Sequence, residues 1–275
     1  MNQESDWRTS WRATGAVRIG RLADCRIGLS TLVIQSHRDP LPAHWYPPCL
    51  DSVRSWAGEQ NFTYRFVGDE LFDPLPDDIL QRTVDRTVVA TDLARLYALR
   101  EGLREGFAAV VWCDADVLII RPDRLKLPDD AYALGREVWV QGPPDDLRAY
   151  VKVHNAFLLF RQGNSFLEFY LDTALKLIRA HQGPMVPQLI GPKLLTAIHN
   201  VIGCPVFESF AVLSPLVVRD LLSGGASALK LFQRRNSVTP AAVNLCGSMV
   251  ANGELTDEEI GALIDLLSSR PSVLG

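Results

Sequence analysis

Two aspartates, Asp114 and Asp116, stand one residue apart at the end of an apolar run. Residues with this spacing on a strand point to the same face, so both carboxylates can converge on one point in the following turn. Carboxylates that lose their hydration side by side repel each other, and a cation between them relieves the repulsion. A hard divalent ion prefers such oxygen ligands and, with open positions, can also hold a diphosphate. A solvated turn, where Asp-x-Asp often occurs by chance, stays the alternative.

The segment 91–122 around this pair predicts a helix, a turn and a buried strand. Apolar residues from Leu93 to Leu103 repeat on one side at helical spacing, and Arg95 falls largely outside that face. Gly106 suits the end of the helix. The continuous apolar run 108–112 is typical of a central strand that is covered on both faces.

Composition indicates a globular protein rather than a fibrous or membrane one. The chain has 275 residues, of which 47% are hydrophobic and 22% charged, and its formal net charge is −4. This charge gives no support to a nucleic-acid partner. No apolar run approaches the roughly 20 residues that span a bilayer, and the N-terminus lacks an apolar signal core. We therefore expect a cytoplasmic, bacterial-type protein without a transmembrane segment; its oligomeric state stays open.

The five cysteines are scattered and lack C-x-x-C spacing, which argues against zinc and against a disulfide framework. Cys113, beside the acidic pair, is expected to be a small buried core residue.

Strands and helices are predicted to alternate along one α/β domain, residues 25–275, behind a poorly ordered or peripheral leader, 1–24. A capping box is predicted at Ser165 with Glu168 and another at Thr256 with Glu259. The last helix is expected at about 255–269. Strands are predicted at 27–35, 62–67, 108–112, 117–120, 131–134, 138–141, 154–160 and 206–213, and the other helices at 49–58, 77–82, from Thr91, 165–180, 193–200 and 214–222.

In open α/β sheets, ligands bind beyond the carboxyl ends of the strands. Several polar residues of this chain lie near the ends of predicted strands. His37 follows the first strand, as an inconsequential loop residue or a nucleotide contact. His154 and Asn155 head a buried strand and need partners, either backbone groups or a ligand. Gly191 and Pro192 open a helix whose amides could face an anion.

A longer pattern resembles a known family. TDLARLYAL, a turn and VVWCDADVLIIRP are similar to (S/T)-D-x-x-R, an apolar helix, a Gly-rich turn, a strand, D-x-D and Pro. This pattern is found in retaining glycosyltransferases of the GT-A fold: yeast-type initiating α-mannosyltransferases, bacterial capsular polysaccharide glycosyltransferases and clostridial glucosylating toxins. The stretches beginning VIQSHRDP, HNAFLLF and IGPKLLTAI agree in order, so the resemblance covers roughly residues 27–250.

The resemblance implies a GT-A-like (Rossmann-like), mixed, mostly parallel central sheet flanked by helices. It also implies metal-dependent transfer of a hexose from a nucleotide-diphosphate sugar, UDP-linked by preference, with retention of configuration. The acceptor is a glycan, a small molecule or a protein.

The resemblance also assigns roles. Asp116 would chelate Mn²⁺ or Mg²⁺ on the donor diphosphate, and Asp114 would contact the ribose and the metal, with Ala115 between them. Asp92 and Arg95 would hold the donor sugar, although a helix N-cap or first-turn acid and a surface arginine are their plainer interpretations. The remaining positions are Ile34, Gln35 and Ser36 against the base, Asn155 on the sugar side, Gly191 with Pro192 on the acceptor wall, and Asn244 or Ser248 as a third metal contact.

The chain departs from the family at two places. Gly106-Phe107 and Trp112-Cys113 replace the usual Gly-Gly-x-Tyr-x-Asp lead, and NLCGSM, residues 244–249, lacks the family's C-terminal His and Trp. Two alternatives therefore stay open. One is a haloacid-dehalogenase-type phosphohydrolase, in which the first Asp of the pair would be the nucleophile. The other is a glycosyltransferase-like binding module without catalysis.

Overall fold

A computed structural model describes residues 30–275, and a six-stranded mixed sheet forms its centre. The strands are β1 Thr31–Ser36, β2 Thr63–Val67, β3 Ala109–Cys113, β5 Tyr132–Gln141, β6 Arg148–Arg161 and β7 Val206–Phe207. Their order is β2-β1-β3-β6-β5-β7. Only β6 is antiparallel to its neighbours in this sheet; the other pairings are parallel. The predicted mixed, mostly parallel sheet is confirmed, whereas the leader 1–24 lies outside the described residues.

Helices cover both faces of this sheet. They are α1 Tyr46–Glu59, α2 Asp77–Arg82, α3 Thr87–Arg104, α4 Phe166–Ala180, α5 Pro192–Ile202, α6 Pro215–Ser223, α7 Ser227–Arg235, α8 Gly247–Ala251 and α9 Asp257–Ser269. Alternate residues of β3 pack into different clusters: Val110 faces α3 and α4, whereas Val111 faces α1. The apolar run is therefore buried on both faces, as its composition predicted, and Cys113 is fully buried.

A second sheet, of three strands, lies beyond the acidic pair. It comprises β4 Val117–Ile119, β8 Phe210–Val212 and β9 Ala242–Asn244, in the order β4-β9-β8. Antiparallel pairing of β4 with β9 sets Val117 opposite Asn244. The C-terminal part of the chain is thereby brought next to Asp116.

Two strand predictions are wrong. The two short strands expected at 131–134 and 138–141 are one strand, β5, because a register shift between Leu134 and Gly135 lets pairing with β6 continue past the irregularity. The strand expected at 206–213 is two strands in different sheets. Ser209 lies between them and its carbonyl accepts hydrogen bonds from the Ala241 and Ala242 amides, which docks β8 beside β9.

Of the two predicted capping boxes, one is present and the other is not. The Thr256–Glu259 capping box is present at α9. The box predicted at Ser165 is wrong, because Asn164 Oδ1 accepts from the Leu167 amide at 3.0 Å instead. Two large apolar residues of α4, Phe169 and Leu177, are exposed. No helix among residues 30–275 combines the length and apolar character needed to cross a membrane.

Candidate functional site

Arg95 lies in the interior of α3 and joins two carboxylates from separate parts of the chain. Its Nη2 is 3.1 Å from Asp92 Oδ1, and its Nη1 is 3.0 Å from Asp114 Oδ1. Nη1 also donates to the Asn155 carbonyl at 2.8 Å. These oxygens replace water around the guanidinium of a residue that is only 5% exposed. The interpretation of Arg95 as a surface arginine is therefore wrong.

Asp92 is the most buried carboxylate of this cluster. Because α3 begins at Thr87, Asp92 lies inside the helix, and its interpretation as an N-cap is wrong. Its Oδ1 accepts from Asn155 Nδ2 at 2.8 Å as well as pairing with Arg95. Burial raises the pKa of Asp92 to about 6, although the charge of Arg95 opposes this shift.

The start of α5 closes directly onto Asp92. Gly191 is the N-cap of α5. The space around it excludes a side chain, because a Cβ at this position would overlap Asp92 Oδ2 and lie 2.8 Å from Asn155 Nδ2. Asp92 therefore sits against the N-terminus of a helix, where a negative charge is favoured.

Replacing Gly191 by Ala should destabilise the fold by about 1–3 kcal/mol, because the new methyl group meets a buried, hydrogen-bonded carboxylate. Urea unfolding would measure this change. Gly58→Ala is the matched control. Gly58 lies in α1 with nothing within 4 Å of its Cβ position, so Ala there should raise stability by about 0.5–1 kcal/mol. Equal effects of the two substitutions would contradict this packing.

The raised pKa of Asp92 predicts a pH dependence of stability. The folded state holds this proton more tightly than the unfolded chain, whose Asp titrates near 4. The stabilising contribution is therefore complete below about pH 4 and is lost as the pH rises through about 6. Relative to Asp92→Asn, the wild type should lose about 2–3 kcal/mol of unfolding free energy between pH 4 and pH 7. Urea titrations at each pH measure the difference, and a flat or rising difference would contradict the shift.

Asp114 is held at the end of β3 by its neighbours. Trp112 Nε1 donates to Asp114 Oδ1 at 2.6 Å, and the Trp112 ring lies 5.2 Å from the guanidinium carbon of Arg95. Gln35, fully buried, donates to the Asp114 carbonyl at 3.1 Å and accepts from the Tyr64 hydroxyl. Ile34 packs into the core against α3, and Ser36 is half-buried at the end of β1. A contact of these three β1 residues with a base stays a prediction.

Asp116 is fixed by the turn that follows β9. Its Oδ1 accepts from Asn244 Nδ2 at 2.6 Å, and its Oδ2 accepts from the Gly247 amide at 2.7 Å. Asn244 Oδ1 accepts from the Cys246 amide, so its nitrogen is the atom that faces Asp116. Cys246 adopts a φ of +51°, a strained value for a non-glycine residue. Burial, followed by the charge of Asp114, raises the pKa of Asp116 to about 6.

The two aspartates fit a metal that shares its ligands with a substrate. Among the described residues, no group of three or more His, Cys, Asp and Glu side chains could hold an ion alone. Mg²⁺ and similar ions are commonly held by one or two carboxylates together with substrate phosphates, and the mutual repulsion of Asp114 and Asp116 favours a cation there. Asn244 turns its amide nitrogen, rather than its oxygen, towards Asp116, and Ser248 is exposed on α8. The roles of these two residues as metal ligands stay predictions.

Aromatic residues at the start of α1 also border Asp116, and sequence reasoning missed them. The Tyr46 hydroxyl lies 2.6 Å from where a Gly247 Cβ would be, and burial together with the Asp116 charge raises the pKa of Tyr46. Its ring stacks on Trp45 at 3.9 Å and lies 4.5 Å from His37. His37 therefore contacts the aromatic residue that borders Asp116. The signal available in the sequence for these residues was an adjacent Trp and Tyr in a proline-rich segment at the start of a helix.

A cleft of about 550 Å³ opens beside this cluster. Pro192, His154 and Cys246 line it, and each is next in sequence to a residue of the charge network or its supporting turn. His154 Nδ1 accepts from the Ala156 amide at 3.0 Å, so its predicted backbone partner is confirmed. Asn155 points to the opposite face of β6, towards Asp92.

Comparison with known proteins gives little beyond this geometry. No family model matches the chain, and neither does any curated protein. Among solved structures, the chain is similar to a glycosyltransferase involved in the glycosylation of the major capsid of PBCV-1, with a TM-score of 0.46 and 10% identity. The match covers 84% of this chain and 99% of that one. At this identity and TM-score the match assigns no role to any residue of this chain.

Proposed function

We propose that this protein is a metal-dependent glycosyltransferase. It moves a hexose from a nucleotide-diphosphate sugar, UDP-linked by preference, to an acceptor with retention of configuration. One observation supports this function above the others: Arg95 joins Asp92, Asp114 and Asn155 into a buried network beside Asp116. These are the residues that the resemblance assigned to the donor sugar and the metal.

The charges of this network suit a leaving nucleoside diphosphate. Asp114 and Asp116 would hold Mn²⁺ or Mg²⁺, which supplies positive charge to the diphosphate as the glycosidic bond breaks. Arg95 supplies a second, fixed positive charge, and its burial strengthens the interaction with developing negative charge. The ion pairs hold Arg95 in place before the donor arrives, so little reorganisation is needed.

Asp92 and Asn155 are proposed to orient the sugar. A carboxylate accepts strong, charge-assisted hydrogen bonds from hydroxyl groups. Asp92 is already bonded to Asn155 Nδ2 and Arg95 Nη2, so its orientation is defined by two other elements. The proposal that configuration is retained rests on the resemblance. Asp92 and Asp114 are both held in ion pairs with Arg95, so neither is a free nucleophile. Same-face transfer assisted by the leaving phosphate is consistent with this arrangement.

The same contacts disfavour a haloacid-dehalogenase-type phosphohydrolase. That chemistry requires Asp114 as the attacking carboxylate. Here Asp114 Oδ1 accepts from Trp112 and pairs with Arg95, which stabilises its negative charge and lowers its nucleophilicity. An aryl phosphate assay should therefore show no turnover.

Donor hydrolysis tests the proposal directly. The protein is incubated with UDP-, GDP- and dTDP-hexoses, with Mn²⁺ or with EDTA, and the released nucleotide is measured. Release from at least one donor, dependent on the metal, is the expected result. Metal-dependent nucleotide binding without release from any donor would instead support a binding module, and turnover of aryl phosphate alone would support the phosphohydrolase.

A further inference from the structure

A buried carboxylate outside the charge network lies in the neighbouring cleft. Glu137, on β5, has a side chain that is 9% exposed and lines the cleft of about 550 Å³. Within residues 30–275 its carboxylate oxygens accept no hydrogen bond, and the ion pair of this carboxylate is with Lys152 Nζ, at 3.7 Å. A buried carboxylate normally accepts several hydrogen bonds, so Glu137 has unused acceptor capacity directed into a solvent-accessible space.

Lys152 does not remove this capacity. It stands directly opposite Glu137 across the β5–β6 pair, but its side chain is 41% exposed. Its Nζ also lies 5.6 Å from the centre of the Tyr150 ring. At 3.7 Å, the ammonium group balances the charge of Glu137 without donating a normal hydrogen bond.

The cleft adjoins the proposed donor site on two sides. Pro192 follows Gly191, which abuts Asp92, and Cys246 is held by Asn244, which donates to Asp116. A molecule in the cleft would therefore lie next to both the sugar-holding and the metal-holding ends of the site. This is the position required of the second substrate.

The charges in the cleft balance. The lining carries two carboxylates, Glu137 and Glu254, and two ammonium groups, Lys152 and Lys193. Burial lowers the pKa of His154, which keeps that imidazole neutral. A strongly charged ligand gains nothing from such a lining. Trp139 adds an apolar face beside these polar groups, which is the mixture that fixes a ligand by both packing and hydrogen bonds.

We propose that this cleft binds a neutral, hydroxyl-rich acceptor, that is a carbohydrate, and that Glu137 accepts a hydrogen bond from one of its hydroxyl groups. The assignment of the ligand as an acceptor rests on the proposed glycosyltransferase function, whereas the recognition of a neutral carbohydrate rests on the cleft itself. Glu137 is thus a specificity-determining residue for the second substrate.

Ligand-detected NMR on the full chain tests this site without turnover. Lactose, maltose and N,N′-diacetylchitobiose serve as neutral probes, with kanamycin and glucuronic acid as cationic and anionic probes, all in the absence of donor and metal. At least one neutral disaccharide should bind at millimolar concentration. Glu137→Gln should weaken it by about 10-fold or more, the effect of losing a hydrogen bond to a charged group.

The matched control is Glu101→Gln, on the exposed surface of α3 and outside the cleft, which should bind as the wild type does. If Glu137→Gln fails to fold, Glu137→Asp is the second variant. It keeps the negative charge but moves the carboxylate back from the cleft by one methylene group, and it should also weaken binding. Binding unaffected by the Glu137 substitutions, binding of charged probes alone, or no binding of any neutral probe would each overturn the proposal. Absence of donor hydrolysis, with sugar binding intact, would instead overturn the glycosyltransferase function and leave the carbohydrate site standing.

Discussion

Replacing Arg95 by Ala should lower the free energy of unfolding at pH 7 by about 3–5 kcal/mol, the usual cost of breaking a buried ion pair. The substitution removes the partner of Asp92 and Asp114 at once and leaves their carboxylates without a compensating charge. It also frees the Asn155 carbonyl of a hydrogen bond and uncovers the Trp112 ring. Urea unfolding followed by circular dichroism measures the loss.

Arg100→Ala provides the control on the same helix. Arg100 is more exposed, at 21% of its side chain, and its ion pair with Glu168 is 3.8 Å long. Such a surface pair contributes about 1 kcal/mol or less. Similar losses for the two substitutions would show that Arg95 does not hold a buried network.

Replacing Asp116 by Asn should reduce donor hydrolysis by at least about 100-fold, as expected when one group that positions transition-state charge is lost. The fold should survive. Because burial and Asp114 raise the pKa of Asp116, removing its charge relieves repulsion in the protein without metal. Asn keeps the size of the side chain but turns an NH2 group towards either Asn244 Nδ2 or the Gly247 amide, which offsets this gain. Loss of activity in a protein that still folds cooperatively is therefore the expected combination.

Asp123→Asn is the matched control, since Asp123 is an exposed carboxylate just after β4. Released nucleotide is measured for both variants at saturating Mn²⁺. If Asp116→Asn released nucleotide at the wild-type rate, Asp116 would not belong to the donor site.

The acidic pair and its strand could be predicted because their signal is local. An unbroken apolar run before Asp114 requires burial on both faces, and the i, i+2 spacing to Asp116 is visible in the sequence. The grouping with Asp92 and Arg95 came from a pattern resemblance, and the structure places Arg95 between Asp92 and Asp114. Periodicity alone favoured the wrong interpretations there, since a helix N-cap and a surface arginine are the commoner uses of those residue types.

The parts that sequence reasoning missed depend on long-range contacts. Glu137 belongs to the cleft only because β5 continues through its register shift and pairs Glu137 with Lys152. Asn244 reaches Asp116 across 128 residues through the pairing of β4 with β9, and its amide orientation depends on a strained turn at Cys246. The capping boxes show the same limit: equivalent sequence patterns at Ser165 and Thr256 gave different caps, because Asn164 competed for the end of α4.

Calorimetric titration of UDP, GDP and dTDP tests the central claim, a nucleotide-diphosphate donor site that needs a metal at Asp114 and Asp116. Each nucleotide is added to the wild type with Mn²⁺ and with EDTA, and then to Asp116→Asn with Mn²⁺. We expect at least one nucleotide, UDP by preference, to bind at least about 10-fold more tightly with Mn²⁺, a gain of about 1.4 kcal/mol, and Asp116→Asn to abolish this gain. Equal binding with EDTA, or no binding of any nucleoside diphosphate with Mn²⁺, would contradict it.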